Sequence, residues 1–134
     1  MLLTEYLEAF SKVIDEYSKT DLVFSSQVHV DIRAEHIGLI KGSITFIDES
    51  RLFLTEYLDV SYGIERLTYS YHYLDKKGRL VFRYDNAAHK PVLGFIHHKH
   101  SGDGVVESQI PDLNGVLLEA IHHLMGPIGW AGGE

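Results

Sequence analysis

Hydrophobic and polar positions alternate along this chain with two different periods. Between residues 3 and 18, Leu3, Tyr6, Leu7, Phe10, Val13, Ile14 and Tyr17 recur at intervals of three and four. That spacing lays one apolar stripe along an α-helix, with Thr4 as its predicted N-cap. After Thr20-Asp21 the period drops to two. Phe24, Ser26, Val28, Val30 and Ile32 oppose Ser25, Gln27, His29, Asp31 and Arg33, which predicts a half-buried strand. Further strands are predicted over Ile37 to Ile47, Arg51 to Val60, Glu65 to Leu74 and Arg79 to Tyr84. Asp48-Glu49-Ser50 and Asp75-Lys76-Lys77-Gly78 are the turns between them. Leu93 to His97 is a candidate additional strand, and Ser101-Gly102-Asp103-Gly104 a flexible loop. Helical periodicity returns over residues 112 to 125, with Leu113, Leu117, Ala120, Ile121 and Leu124 on one face and Pro111 near the start. The glycine-rich segment from Gly126 to Glu134 is expected to be loose. Strands flanked by terminal helices predict an α+β fold, an antiparallel meander sheet of about five to six strands packed with the N- and C-terminal helices.

Length and composition narrow the class. The chain has 134 residues, no internal repeat and no interdomain linker, which suits a single domain. Hydrophobic residues make up 45% and charged residues 23%, values of a globular core rather than a disordered chain. No apolar run is long enough to span a membrane. The opening MLLTEYLEAF carries Glu5 and Glu8 and lacks the basic start of a secretory signal. There are no cysteines, so disulfides, thiolate metal sites and cysteine nucleophiles are excluded, and a cytoplasmic setting is expected.

Charge is unevenly spread. The formal net charge is −7, yet between Arg66 and His100 seven bases face two acids, Asp75 and Asp85. That segment also holds five of the nine histidines. A local basic stripe attracts phosphate even on an acidic body, because distant charge is screened within about 8–10 Å. A hairpin kept soluble by its lysines accounts for the same charge.

Three features carry chemistry. Tyr69, Tyr71 and Tyr73 share one face of the fourth predicted strand, and Leu80, Phe82 and Tyr84 one face of the fifth. A four-residue loop over 75–78 pairs Tyr73 with Leu80 and Tyr71 with Phe82. A three-residue loop with a bulged Gly78 instead sets Tyr71 beside Arg83 and Tyr69 beside Asp85. Tyrosine ladders pack well in sheets; they also form surfaces on which bases stack while arginine meets phosphate. Glu56, in phase with Leu52, Leu54, Leu58 and Val60, points toward the apolar face and needs a partner there, for which Arg83 is the candidate. Finally, His89 and His97-His98-Lys99-His100 put four histidines within twelve residues. His98 and His100, with His89 or Glu56, suit a metal site. The same imidazoles suit proton transfer to and from a phosphodiester, with Arg83 or Lys99 on the phosphate. They also suit a polar strand whose histidines bond backbone. Lys99 between the imidazoles disfavours a metal and favours phosphate.

At these residues the chain resembles the TumE family, small toxins of prokaryotic toxin–antitoxin pairs. The resemblance rests on Tyr69-Ser70-Tyr71-His72-Tyr73, on Phe82-Arg83-Tyr84-Asp85-Asn86-Ala87 with His89, and on His97-His98-Lys99-His100. Gly42, Asp48-Glu49-Ser50 and Glu56 fit its upstream pattern, so the likeness spans roughly residues 38 to 100. Two positions depart from it: Lys90 follows His89 where the family tends to a double histidine, and Ile96 stands where it often has proline. The resemblance implies a cytoplasmic toxin with a cognate DNA-binding antitoxin encoded next door.

Three functional expectations follow. One is a metal-independent, cofactor-free ribonuclease in which His98 and His100, with His89 and Glu56, perform acid–base catalysis. Arg83, Lys99 and Asp85 then line the phosphate site, and Tyr71 and Tyr73 stack or orient a base. Another is a non-enzymatic protein-binding or RNA-binding module, with the C-terminal helix and Trp130 docking a partner or a second copy. The third is a histidine metal site.

Overall fold

The computed structural model describes residues 2–87 and 94–131, with backbone alone from 127 onward. Helix α1 (Leu3–Ser18) leads into strands β1 (Val23–Ile32), β2 (Ile37–Phe46), β3 (Arg51–Asp59), β4 (Glu65–Leu74), β5 (Leu80–Asp85), β6 (His98–Ser101) and β7 (Gly104–Glu107), and helix α2 (Leu113–Ala131) follows. The strands form one antiparallel sheet whose spatial order is the chain order. The α+β meander holds, with seven strands among the described residues in place of five or six. The difference lies in residues 101–104, expected as a loop. They are a hairpin turn, with Ser101 paired to Gly104 and Gly104 at φ 116°. Strands of four residues are too short for an alternating pattern to stand out. The strand expected over Leu93 to His97 is not formed by residues 94–97, and Leu93 lies outside the described residues. The ladder starts instead at His98, opposite Asp85.

Two helix ends differ from expectation. Leu2, not Thr4, is the N-cap of α1, and the Glu5 carboxylate reaches back to accept the Leu2 N–H at 2.9 Å. At the other end Gly126 adopts φ 67°, and helical backbone resumes to Ala131 where a loose tail was expected. Glycine tolerates the left-handed turn, and Pro127 suits the first position of a new helix. The Trp130 side chain lies outside the described residues.

Both helices cover the same face of the sheet. Leu3, Phe10 and Ile14 of α1 and Leu113, Val116, Leu117, Ala120 and Ile121 of α2 are buried with Ile40, Ile44, Phe46, Leu52, Leu54, Leu58, Tyr69, Tyr71, Tyr73, Phe82 and Tyr84 of the strands. Among the described residues no helix covers the opposite face. The β4–β5 register follows neither expected loop. Leu74 pairs with Leu80, and the ladder then steps by one to pair Tyr73 with Phe82, Tyr71 with Tyr84 and Ser70 with Asp85. Val81 is left over as a bulge. The turn explains it: the Asp75 N–H bonds the Arg79 carbonyl while the Asp75 carboxylate accepts the Lys77 and Arg79 N–H groups. The step keeps the aromatic rows of both strands on the helix-covered side.

Candidate functional site

Strand parity sorts the chemical groups onto two faces. Tyr69, Tyr71 and Tyr73 point under the helices, so Ser70 and His72 point to the open face. Cross-strand pairing carries this outward. His72 lies beside Arg83 and Arg83 beside His100; Ser70 lies beside Asp85 and Asp85 beside His98. Two adjacent rows of the open face thus bring together residues widely separated along the chain.

Asp85 is the hub. Its Oδ2 accepts from Arg83 Nε at 2.6 Å and lies 3.4 Å from His100 Nε2, while its Oδ1 lies 3.2 Å from His98 Nδ1. The other nitrogen of His98, Nε2, donates to the Phe95 carbonyl oxygen at 2.8 Å, and the Phe95 ring meets the imidazole edge-on. Asp85 and His98 are buried, the His100 side chain is 22% exposed and that of Arg83 38%. Solvent therefore reaches Arg83 and part of the His100 ring, but neither the carboxylate that organises them nor the His100 Nε2 that faces it. Burial alone would raise the Asp85 carboxyl, but hydrogen bonds from His98 and Arg83, with the charges of Arg83 and His100, hold it below the usual carboxylate range. Burial and the nearby Arg83 charge push the His72 imidazole down.

A second polar cluster lies under the helices. Glu56 is fully buried, and its carboxylate accepts from the hydroxyls of Tyr6 and, at 2.5 Å, Tyr71. Arg66 supplies the balancing charge nearby and donates through Nη1 to the Pro111 carbonyl. Tyr73 donates to Ser50 at 2.8 Å. Lys99 pairs with Glu119 of α2 at 2.9 Å and lies over the Tyr84 ring.

The structure thus gathers four of the residues singled out from sequence, Arg83, Asp85, His98 and His100. It separates Glu56, Tyr71, Tyr73 and Lys99 from them across the sheet. The expected Glu56–Arg83 pair is not formed, because the two side chains leave opposite faces; Tyr6, Tyr71 and Arg66 surround Glu56 instead. His89 lies outside the described residues. Sequence reasoning passed over His72 and Arg66. His72 had a signal, since its parity opposes Tyr71 and Tyr73, but its neighbours depend on the bulge at Val81.

A model of the family described as Toxin TumE matches residues 10–126. The chain belongs to the TumE toxin family. No curated protein and no solved structure matches it. Membership of a toxin family implies an antitoxin partner in general terms. Among the described residues no helix is long and apolar enough to cross a membrane.

Proposed function

We propose that this TumE-family chain is a cytoplasmic toxin that cleaves RNA without a metal, at the open-face site. The supporting observation is the row His72–Arg83–His100, two imidazoles flanking a guanidinium on adjacent strands. Adjacent strands lie roughly 4.8 Å apart, so the two histidine backbones straddle a space of about 10 Å, wide enough for a phosphodiester held on Arg83.

In this reading one imidazole takes the 2′-hydroxyl proton as the 2′-oxygen attacks phosphorus. The P–O5′ bond breaks, and the other imidazole protonates the departing 5′-oxygen, leaving a 2′,3′-cyclic phosphate and a 5′-hydroxyl. Arg83 balances charge on the phosphoryl oxygens. His98, tied at both nitrogens, holds Asp85, and Asp85 orients Arg83 and His100. Tyr71 and Tyr73 are fully buried and leave base stacking to Phe53, which is 39% exposed and pairs with His72 across the ladder. Beside it the open face forms a groove of about 650 Å³ lined by Phe24, Arg51, Phe53, Leu74 and Lys76. A DNA-binding antitoxin is the expected protein partner.

Purified protein in excess chelator should degrade RNA to cyclic-phosphate ends. His100→Ala and His72→Ala should each slow cleavage by roughly 100-fold or more, with circular dichroism unchanged. Absence of cleavage, or cleavage indifferent to both substitutions, refutes the proposal.

A further inference from the structure

We propose that Asp85, His98 and His100 bind one divalent ion of the zinc class, and that the bound ion silences the site. One carboxylate oxygen of Asp85 and one ring nitrogen from each histidine lie within 4.8 Å of one another. His98 Nδ1 stands 3.2 Å from Oδ1 of Asp85 and His100 Nε2 3.4 Å from Oδ2. A tetrahedral zinc ion with bonds of about 2.0–2.2 Å separates its ligand atoms by roughly 3.3–3.6 Å. Each histidine thus already stands at ligand-to-ligand distance from one oxygen of the carboxylate, and the three donors would close from within 4.8 Å to share an ion.

The tautomer of His98 favours the same site. The Phe95 carbonyl oxygen can only accept, so the Nε2 of His98 carries its hydrogen. In the neutral ring this turns the Nδ1 lone pair toward the Asp85 carboxylate. Two electron-rich atoms at that separation need a cation between them, which is either a proton or a metal. A carbonyl on the far nitrogen is the usual support of a metal-binding histidine, because it fixes both tautomer and ring orientation. Arg83 plays the matching part for the carboxylate, holding Oδ2 at 2.6 Å.

The donor set selects the ion. Two imidazoles and one carboxylate suit zinc or cobalt rather than magnesium or calcium, which prefer oxygen. Three protein donors leave a tetrahedral ion one further coordination position, as in open zinc sites. Arg83 weakens affinity by its charge, which favours reversible loading over a permanent structural ion. Coordination through Nε2 leaves the hydrogen on Nδ1, so the His100 ring keeps no lone pair with which to accept a proton. This regulatory consequence rests on the RNA-cleaving reading; the binding itself does not.

The test titrates metal-stripped full-length protein with cobalt(II), without RNA. One equivalent should bind with the visible absorption of a tetrahedral complex, and zinc should displace it. Asp85→Asn, His98→Ala and His100→Ala should abolish the absorption, while His29→Ala, a histidine on the distant β1 strand, should keep it. Should His98→Ala fail to fold, the more exposed His100→Ala decides alone. No saturable binding, or binding retained in His100→Ala, overturns the site. In the cleavage assay one equivalent of zinc should stop turnover and chelator restore it. Binding with undiminished cleavage overturns the regulation. Binding by a protein that cleaves no RNA overturns the ribonuclease reading and leaves the metal site standing.

Discussion

At the scale of single residues, the buried Glu56 shows how an ionisable group is kept inside a small protein. Its carboxylate is fully buried and accepts two phenolic hydroxyls, and its charge helps hold the nearby Arg66 guanidinium protonated. Removing one donor leaves a buried acceptor short of a partner. Tyr71→Phe should therefore cost about 1–3 kcal/mol in urea unfolding. The phenols also impose a pH limit. Burial, with the Glu56 charge, drives Tyr6 and Tyr71 well above the ordinary tyrosine range. Burial, with the Asp85 charge, pushes Tyr69 up to about 12. A folded pKa above the unfolded value near 10 means that the fold favours the neutral phenol. That contribution is complete below about pH 10 and is lost as pH rises through the window up to the folded values. Unfolding free energy measured from about pH 9 to 12 should fall steeply, and less steeply in Tyr71→Phe.

At the scale of elements, the register decides which side chains meet. A one-residue step exchanges the faces of a strand. The bulge at Val81 lets Phe82 and Tyr84 stay under the helices while Arg83 and Asp85 meet His100 and His98. The two helices hold this arrangement from one side only. Leu117 of α2 is fully buried against the tyrosine face, so Leu117→Ala should cost about 2–5 kcal/mol by cavity formation, read from denaturant midpoints. The strand pattern, the turn at Asp75 to Gly78 and both helical stripes were legible in the chain. The bulge was not, because it depends on how the Asp75 carboxylate gathers the N–H groups of Lys77 and Arg79. For the same reason the Glu56–Arg83 pair was a reasonable expectation that the folded sheet does not form. Likewise Lys99, adjacent to two imidazoles in the chain, leaves the strand on the other side and meets Glu119.

At the scale of the whole molecule, charge and the open face act together. The net charge is −7, and beside the site the open face offers a strand Arg83 together with Arg51 and Lys76 of the adjoining groove. RNA binding should therefore depend weakly on salt, with log K falling by about 0.7 per decade of salt for each phosphate contacted on a single strand. Filter binding across salt concentrations should yield a shallow slope, reduced further by Arg83→Ala. A steep slope would point to a basic surface elsewhere.

Sequence by itself determined the elements and their chemistry: two amphipathic helices around a meander of strands, the tyrosine row, the buried phase of Glu56 and the clustered histidines. Those follow from local periodicity, which any chain carries in its own order. Only the tertiary structure decided which of these groups share a side of the sheet. Facing depends on cross-strand register, and register is set by turn hydrogen bonds and by which rows the helices bury. It was that choice that left Arg83, Asp85, His98 and His100 together with His72, and put Glu56, Lys99 and the tyrosine row on the helix-covered side.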